Sequence, residues 1–342
     1  MSAATALRDK QTVWALWQAM DRADPASLRS LLTERMAADA QWHGPSPLGS
    51  LTGVDAFVDR VWLPLTASFA ELKRNTFIFM AGASSGCADG QGDGRVWVGA
   101  TGTLDGVFRE AYLGIPPTRK PASLRFGEFV RLEGDRIVES YVIYDLVDLM
   151  EQAGVHVLPP PRGEPGVYPP PAAGDGVLLD AQDEDETAYS LAHIRRFIFG
   201  ALNAFDESDL TSMGMADYFP DDIAWYGPGG IGACYGLEGF QTKHQQPWLH
   251  AFPDRRVQDL TALIADGVYT GGPGWAGVKA MHRGEYQGVA ATDRSLAING
   301  LDFWKRDGEQ FVENWVFVDM VHLFGQMGVD LMARMAQIVA SR

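Results

Sequence analysis

Glu313-Asn314-Trp315-Val316-Phe317-Val318-Asp319 is the second occurrence of a pattern that first appears as Glu139-Ser140-Tyr141-Val142-Ile143-Tyr144-Asp145. Upstream, Trp42-His43-Gly44-Pro45 returns as Trp225-Tyr226-Gly227-Pro228. Each block recurs about half a chain length later, and this period is far longer than the roughly 20 to 50 residues of a solenoid unit. The chain therefore contains two whole domains of one fold, and the second copy is nine residues shorter between these blocks.

Bulk composition places the chain among globular proteins. Its 342 residues fit about two domains, and the 46% hydrophobic content is sufficient for a core in each. The net charge of −16 comes without a basic cluster, so we expect no nucleic acid partner. No run of 18 apolar residues and no leader-like start is present, so we expect a cytoplasmic protein without a membrane partner.

A proline-rich, acidic segment separates the two copies. It contains Pro159-Pro160-Pro161 and ends in Asp183-Glu184-Asp185-Glu186. Consecutive prolines cannot donate backbone hydrogen bonds, so we expect an extended, semi-rigid linker over 157–186. The predicted domains are then 1–156 and 187–342. They are free to pack side by side as an intramolecular pseudo-dimer, and a homo-oligomer of the whole chain is left open.

Within each copy, apolar residues at helical spacing come first and alternating stretches follow. In the first copy the helical spacing covers Leu16 to Met36, and the alternation lies between Thr76 and Tyr144. Helices followed by strands indicate an α+β fold. We predict two tandem cone-shaped domains, each with a curved antiparallel sheet wrapped around its N-terminal helices. Such a sheet leaves a concave pocket on its inner face, where a small apolar molecule would bind.

The terminal strand and helix of each copy carry the pattern Glu-x-Trp-x-x-x-Asp followed by Gln-x-Gly. The second copy has it at Glu313, Trp315, Asp319, Gln326 and Gly328, and the first copy has Tyr141 in place of the tryptophan. At these residues the chain resembles the SnoaL-like polyketide cyclases of the nuclear-transport-factor-two-like superfamily, which has a cystatin-like fold. The resemblance implies that the terminal-strand aspartate is a general acid and base, and it places this role on Asp319 and Asp145.

The residues around Asp319 provide an independent argument. Asp319 follows Val316 and Val318 in an apolar strand, where desolvation would raise its pKa and make it a usable base near neutral pH. The other interpretation is that Asp319 and Asp145 end their strands and cap the helices that follow.

The histidine that the resemblance implies on the neighbouring strand is absent. Asp302 occupies that place in the second copy, and Glu128 occupies it in the first. Facing carboxylates can share a proton, but they do not protonate a leaving oxygen as a histidine does. His282 lies one strand earlier. We predict a cluster with Asp319 as base, His282 as proton partner or oxyanion donor, and Asp302 in support. The alternative is a His282 that only hydrogen-bonds inside the pocket.

Three functions follow from these residues. We prefer a cyclase- or isomerase-type enzyme that uses general acid/base catalysis on a small apolar carbonyl compound, with the second copy active. The first alternative is a non-catalytic small-ligand-binding protein of the same fold, which the missing histidine favours. In the second alternative, Arg283, Glu285 and Asp319 resemble the water-activating residues of the superfamily's epoxide hydrolases; this arrangement would turn His282 outward.

Aromatic and histidine side chains are candidates for the pocket lining. The candidates are Tyr226, Trp225, Trp248, Trp315 and His250 in the second copy, with Trp42 and His43 in the first. No metal site is predicted, because His244 and His250 are six residues apart and no metal-binding histidine pattern occurs. The glycines follow no phosphate-loop spacing, and we expect no cofactor.

Overall fold

The computed structural model describes residues 3–206, 209 and 211–342. In the first copy the helices are α1 (Ala3–Met20), α2 (Pro25–Arg35), α3 (Gly53–Phe57), α4 (Leu63–Ser68) and α5 (Leu146–Gln152). Its strands are β1 (Met36–His43), β2 (Ser50–Thr52), β3 (Phe69–Ala83), β4 (Val96–Phe108), β5 (Pro121–Glu133) and β6 (Arg136–Tyr144).

The second copy follows the same order, except that two short strands stand in place of β3 and one further helix follows at the end. Its helices are α6 (Glu184–Arg195), α7 (Met215–Tyr218), α8 (Leu237–Phe240), α9 (Gln246–Ala251), α10 (Met320–Gln326) and α11 (Leu331–Ala340). Its strands are β7 (Ala224–Tyr226), β8 (Ala233–Tyr235), β9 (Arg256–Val257), β10 (Ile264–Asp266), β11 (Tyr269–Met281), β12 (Ser295–Asp307) and β13 (Gln310–Val318). No helix of the described residues has the length and apolar character needed to span a membrane.

The two sheets have the same strand order. The first runs β2-β1-β6-β5-β4-β3, and the second runs β8-β7-β13-β12-β11-β10, with β9 also paired to β11. All neighbours are antiparallel except β1 with β6 and β7 with β13, which are parallel. The predicted α+β fold of two tandem domains with curved sheets is thus confirmed.

The length difference between the copies has a local origin. In the first copy, residues 84–95 connect β3 to β4, whereas only Gly267 and Val268 connect β10 to β11. The connection from β4 to β5 is one residue shorter than the connection from β11 to β12, spanning 109–120 against 282–294. Together these two loops account for the nine residues.

Each copy also contains a π turn at an equivalent place. Val58–Trp62 joins α3 to α4, and Gln241–Gln245 joins α8 to α9. The two turns coincide when the copies are aligned on their flanking sequence blocks. A π turn widens the helix by one residue and is frequent at functional sites. In the second copy this turn contributes His244 and Gln245 to the cavity described below.

The outer faces of the two sheets pack against each other. Phe129 and Phe303, which are equivalent positions in the two copies, stack with their ring centroids 5.0 Å apart. A Cβ atom on Gly127 would lie 2.9 Å from the Phe317 ring, so this contact requires glycine. The shared cluster also contains Trp315 and Tyr226. The concave faces of the sheets are consequently turned away from each other.

The segment between the copies is extended and follows this contact. Within it, the Pro169 carbonyl accepts a hydrogen bond from the Trp315 indole N–H at 2.8 Å, and the Tyr168 hydroxyl lies 2.5 Å from Thr101 Oγ1. Val177 forms a parallel bridge with Phe79 of β3. The segment therefore packs on both copies, and α6 begins inside the predicted linker range 157–186.

Candidate functional site

The concave side of the second copy encloses a cavity of about 190 Å³. Its wall is mainly apolar and is formed by the π turn Arg196–Ala201 and the 3₁₀ turn Leu202–Ala204 that follow α6, by the α8–α9 segment, and by strands β11 to β13. The aromatic residues in this wall include Phe197, Phe219, Trp225, Phe240, Trp248 and Trp304. A few polar groups interrupt the apolar wall, an arrangement that is typical of small-molecule sites.

Asp302 is the acidic residue of the cavity wall. Register pairs it with Gly272 on β11 and with Val316 on β13, and all three line the cavity. A Cβ atom on Gly272 would lie 2.2 Å from the Ala262 carbonyl oxygen, so the close approach of that backbone requires glycine. Burial raises the pKa of Asp302 to about 7, although a hydrogen bond with Asn314 opposes this shift.

His244 and Gln245 on the second π turn enter the same cavity. The His244 ring stacks on Trp225 with centroids 4.1 Å apart, and burial lowers the pKa of His244 to about 3, so its ring is neutral at pH 7. Gln245 is 4% exposed, and within the described ranges neither its amide oxygen nor its amide nitrogen has a hydrogen-bond partner. A buried amide of this kind can hydrogen-bond to a ligand.

Arg255 is the cationic residue of the wall, and it is 8% exposed. One terminal nitrogen donates to the Leu202 carbonyl at 3.1 Å and lies 2.9 Å from Met213 Sδ. No salt bridge to Arg255 is found among the residues that the structure describes. Burial lowers the pKa of Arg255 to about 10, and the guanidinium remains charged at neutral pH.

The equivalent space in the first copy is nearly closed and holds only about 30 Å³. Arg74 fills it, with its guanidinium carbon 4.2 Å from the ring centre of Trp17 and its nitrogen 3.9 Å from a Glu128 oxygen. Burial raises the pKa of Glu128 to about 7, with Arg74 acting in the opposite direction. Trp62 stands where the second copy has Gln245. A cavity of this size holds about one water molecule.

The predicted cluster of Asp319, His282 and Asp302 is not assembled in the structure. Asp319 caps α10, accepting from the His322 backbone N–H at 3.0 Å, and its other oxygen accepts from the Ser46 backbone N–H at 2.9 Å. His282 is fully buried just beyond β11, with Nδ1 3.0 Å from Thr292 Oγ1. Of the three predicted residues, Asp302 is the one that lines the cavity. The catalytic role of the other two stays a prediction.

The first-copy counterparts follow the same geometry. Asp145 caps α5, accepting from the Asp148 backbone N–H at 3.0 Å, and its other oxygen accepts from the Gly229 N–H at 2.7 Å. Trp42 and Glu128 line the small first cavity. His43 lies outside it and stacks on Tyr141 with centroids 4.5 Å apart.

The predicted aromatic lining of the second copy divides between two faces of the sheet. Trp225 and Trp248 line the cavity. Tyr226 and Trp315 lie on the opposite face, in the cluster shared with the first copy, because neighbouring residues of a strand point to opposite faces. His250 is exposed and lines a surface cleft beside the proline-rich segment.

The arrangement required for epoxide hydrolysis is absent from the described cavity. Arg283 is 52% exposed and pairs with the exposed Asp293 at 2.8 Å. Glu285 lines the surface cleft and bonds to the backbone of Gly288. The predicted place of Arg283 in the cavity is therefore wrong, and the epoxide-hydrolase alternative loses the residue on which it depended. Among the described residues, no three His, Cys, Asp or Glu side chains converge closely enough to hold a metal ion.

Sequence reasoning missed Gln245 and Arg255 as cavity residues. The signal that could have identified them is the comparison of twin positions in the two copies. When the surrounding blocks are aligned, Gln245 lies opposite Trp62, and Arg255 lies opposite Leu72. A polar residue opposite an apolar twin indicates that the two copies differ in their side-chain surroundings at that position.

Comparison with solved structures returns matches that each cover less than half of this chain. IdmH from Streptomyces antibioticus, provisionally assigned as a polyketide cyclase, is 22% identical over 42% of this chain and 97% of its own, with a TM-score of 0.34. AclR from Streptomyces galilaeus, provisionally assigned as a hydroxylase, has the same identity, coverage and TM-score. A nuclear-transport-factor-two-like protein from Burkholderia thailandensis is 20% identical over 43% of this chain and 96% of its own, with a TM-score of 0.31.

Comparison with curated proteins gives no match. The family model described as SnoaL-like polyketide cyclase matches residues 11–153 and again residues 193–327, one segment in each copy. These two segments cover well over half of the sequence, and the chain therefore belongs to the SnoaL-like polyketide cyclase family.

Proposed function

We propose that the second copy is an acid/base catalyst of the cyclase or isomerase type, which acts on a small apolar carbonyl compound without a cofactor. The observation that carries this proposal is the carboxyl group of Asp302, which lines an apolar cavity with its pKa raised to about 7 by burial. A group that titrates near the working pH is present both as base and as acid, the condition under which general acid/base catalysis is most effective.

In the proposed reaction, the Asp302 carboxylate removes a proton from the carbon next to the substrate carbonyl. The electron pair of that C–H bond forms the enolate, whose oxygen accepts a hydrogen bond from the Gln245 amide. In an isomerisation, Asp302 returns the proton to a different carbon. In a cyclisation, the enolate carbon attacks a second carbonyl of the same molecule, and Asp302 gives its proton to the alkoxide formed.

The first copy has a structural role in this proposal. Its cavity is filled by Arg74, and the outer face of its sheet packs against the outer face of the second sheet. We propose that the chain is an intramolecular pseudo-dimer, with one copy for support and one for chemistry. Asp319 and Asp145 would then hold the two copies together.

Proton exchange tests the reaction directly. The probe is 2-tetralone in deuterated buffer, with loss of its proton signal next to the carbonyl followed by NMR. We expect the wild-type protein to accelerate exchange and Asp302→Asn to lower the accelerated rate by about 100-fold or more. Glu128→Gln, the matched change in the closed first cavity, should leave the rate unchanged. An Asp302→Asn variant that keeps the wild-type rate would overturn the proposal.

The second candidate function is ligand binding without turnover. It is favoured by the absence of a second acid among the described residues of the cavity wall, because His244, with its pKa near 3, is not protonated at neutral pH. Saturable binding of 2-tetralone with exchange no faster than in buffer would support this function in place of the enzymatic one.

A further inference from the structure

Arg255 differs from the other buried arginines of the described chain in having no acidic partner. Arg125 lies 2.7 Å from an Asp148 oxygen, Arg306 pairs with Glu186, and Arg74 lies within 3.9 Å of Glu128. The contacts of Arg255, by contrast, are a carbonyl and a thioether. An unpaired buried cation is costly, and a carboxylate placed against it would remove much of that cost.

Arg255 lies in the wall of the cavity. It lines the same cavity as Asp302, yet no ion pair joins the two in the described ranges, so Arg255 does not neutralise the proposed base. The twin of Arg255 is Leu72, so the group belongs to the open copy alone. The guanidinium is planar and presents paired N–H donors that match the two oxygens of a carboxylate.

We propose that Arg255 binds a carboxylate of the substrate, which is therefore an apolar keto acid. This inference rests on the proposed function, because it places the acid of the substrate at Arg255 and its enolisable carbonyl at Asp302. The apolar body between the two groups lies against Trp225, Trp248 and Trp304.

Calorimetric titration with 2-naphthoate and its neutral analogue 2-naphthamide tests the inference. At pH 6, below the pKa of Asp302, we expect wild-type protein to bind the acid at least tenfold more tightly than the amide. Arg255→Gln should abolish this preference, with a ratio of about one. Arg255→Lys should retain a smaller preference, because lysine keeps the charge but lacks the paired N–H donors of the guanidinium. Arg283→Gln, which changes an exposed arginine of the same copy, should keep the full preference.

Equal affinity of the wild-type protein for the two probes would overturn the inference, as would a folded Arg255→Gln variant that still prefers the acid. If Arg255→Gln does not fold, Arg255→Lys is measured in its place. A preference for the acid as large as that of the wild type in this variant would also overturn the inference. The test is separate from the exchange assay, because 2-tetralone carries no carboxylate. A preference for the acid in a wild-type protein that does not accelerate exchange would support the carboxylate site and overturn the proposed reaction.

Discussion

Asp319 and Ser46 belong to different copies, and a carboxylate oxygen of Asp319 accepts a hydrogen bond from the Ser46 backbone N–H at 2.9 Å. The reciprocal contact, from the Gly229 N–H to Asp145, measures 2.7 Å. Gly229 is the twin of Ser46 and Asp145 is the twin of Asp319, so the chain makes the same bond twice, once in each direction between the copies. The terminal aspartate of each copy thereby caps its own helix and accepts a backbone hydrogen bond from the other copy.

Removal of this aspartate should weaken the domain contact. We expect Asp319→Ala to lower the free energy of unfolding by about 2 to 4 kcal/mol, since it removes a helix cap and leaves the Ser46 N–H without its partner. Denaturant titration measures the change. Asp330→Ala removes the exposed cap of α11 and should cost only about 1 kcal/mol. If Asp319→Asn instead abolishes exchange without affecting stability, the sequence prediction of a catalytic Asp319 is supported.

The carboxyl of Asp302 should make stability depend on pH. Its folded pKa of about 7 lies above the ordinary value of 3.8, so the folded state binds more protons than the unfolded state between about pH 4 and 7. Stability contributed by this group therefore falls as pH rises through that range. We expect the free energy of unfolding of Asp302→Asn, relative to that of the wild type, to be roughly 4 kcal/mol higher at pH 8 than at pH 4. Urea unfolding at both values checks the sign, and a pH-independent difference would contradict it.

Arg74 should matter most when Glu128 is ionised. Arg74→Met leaves Glu128 buried without a cation, and we expect a loss of about 3 to 5 kcal/mol at pH 8. At pH 5, Glu128 is protonated because its pKa is about 7, so the loss should be smaller. The double variant Arg74→Met, Glu128→Gln should recover stability at pH 8. Equal losses at the two pH values would show that packing against Trp17, and not charge, is what Arg74 contributes.

A buried ion pair joins α1 of the first copy to β10 of the second. Lys10 Nζ lies 2.7 Å from an Asp266 oxygen, and the two side chains are 2% and 8% exposed. Lys10→Met leaves the Asp266 carboxylate with its bond from the Ala81 N–H, and we expect about 3 to 5 kcal/mol of destabilisation. Arg29→Met removes an exposed pair with Asp55 and should change stability by less than about 1 kcal/mol. Thermal unfolding of both variants measures the contrast.

The fold was predictable because the repeat allowed each element to be compared with its twin. The pattern from Glu313 to Asp319 correctly identified a terminal strand followed by a helix. It did not show which face of that strand is concave, because Val316 on one face and Trp315 on the other are both apolar. The structure places Val316 at the cavity and Trp315 at the domain contact.

The same ambiguity misplaced the predicted catalytic cluster. Asp302 was correctly associated with the neighbouring strand, and its pairing with Val316 brings it to the concave face. Asp319 follows the end of β13, where the adjacent helix and the other copy take both of its oxygens. Gln245 could not be placed from periodicity, because the π turn shifts the helical phase by one residue at that point.

Because the proline-rich segment links the two copies covalently, the contact between the two sheets is intramolecular. Two separate subunits would part on dilution, whereas tethered partners meet at an effective concentration that does not depend on how much protein is present. The equilibrium of the contact that contains the stacked pair Phe129 and Phe303 is therefore independent of protein concentration. A substitution that weakens this contact lowers the unfolding temperature of one chain, and it cannot release a free second copy.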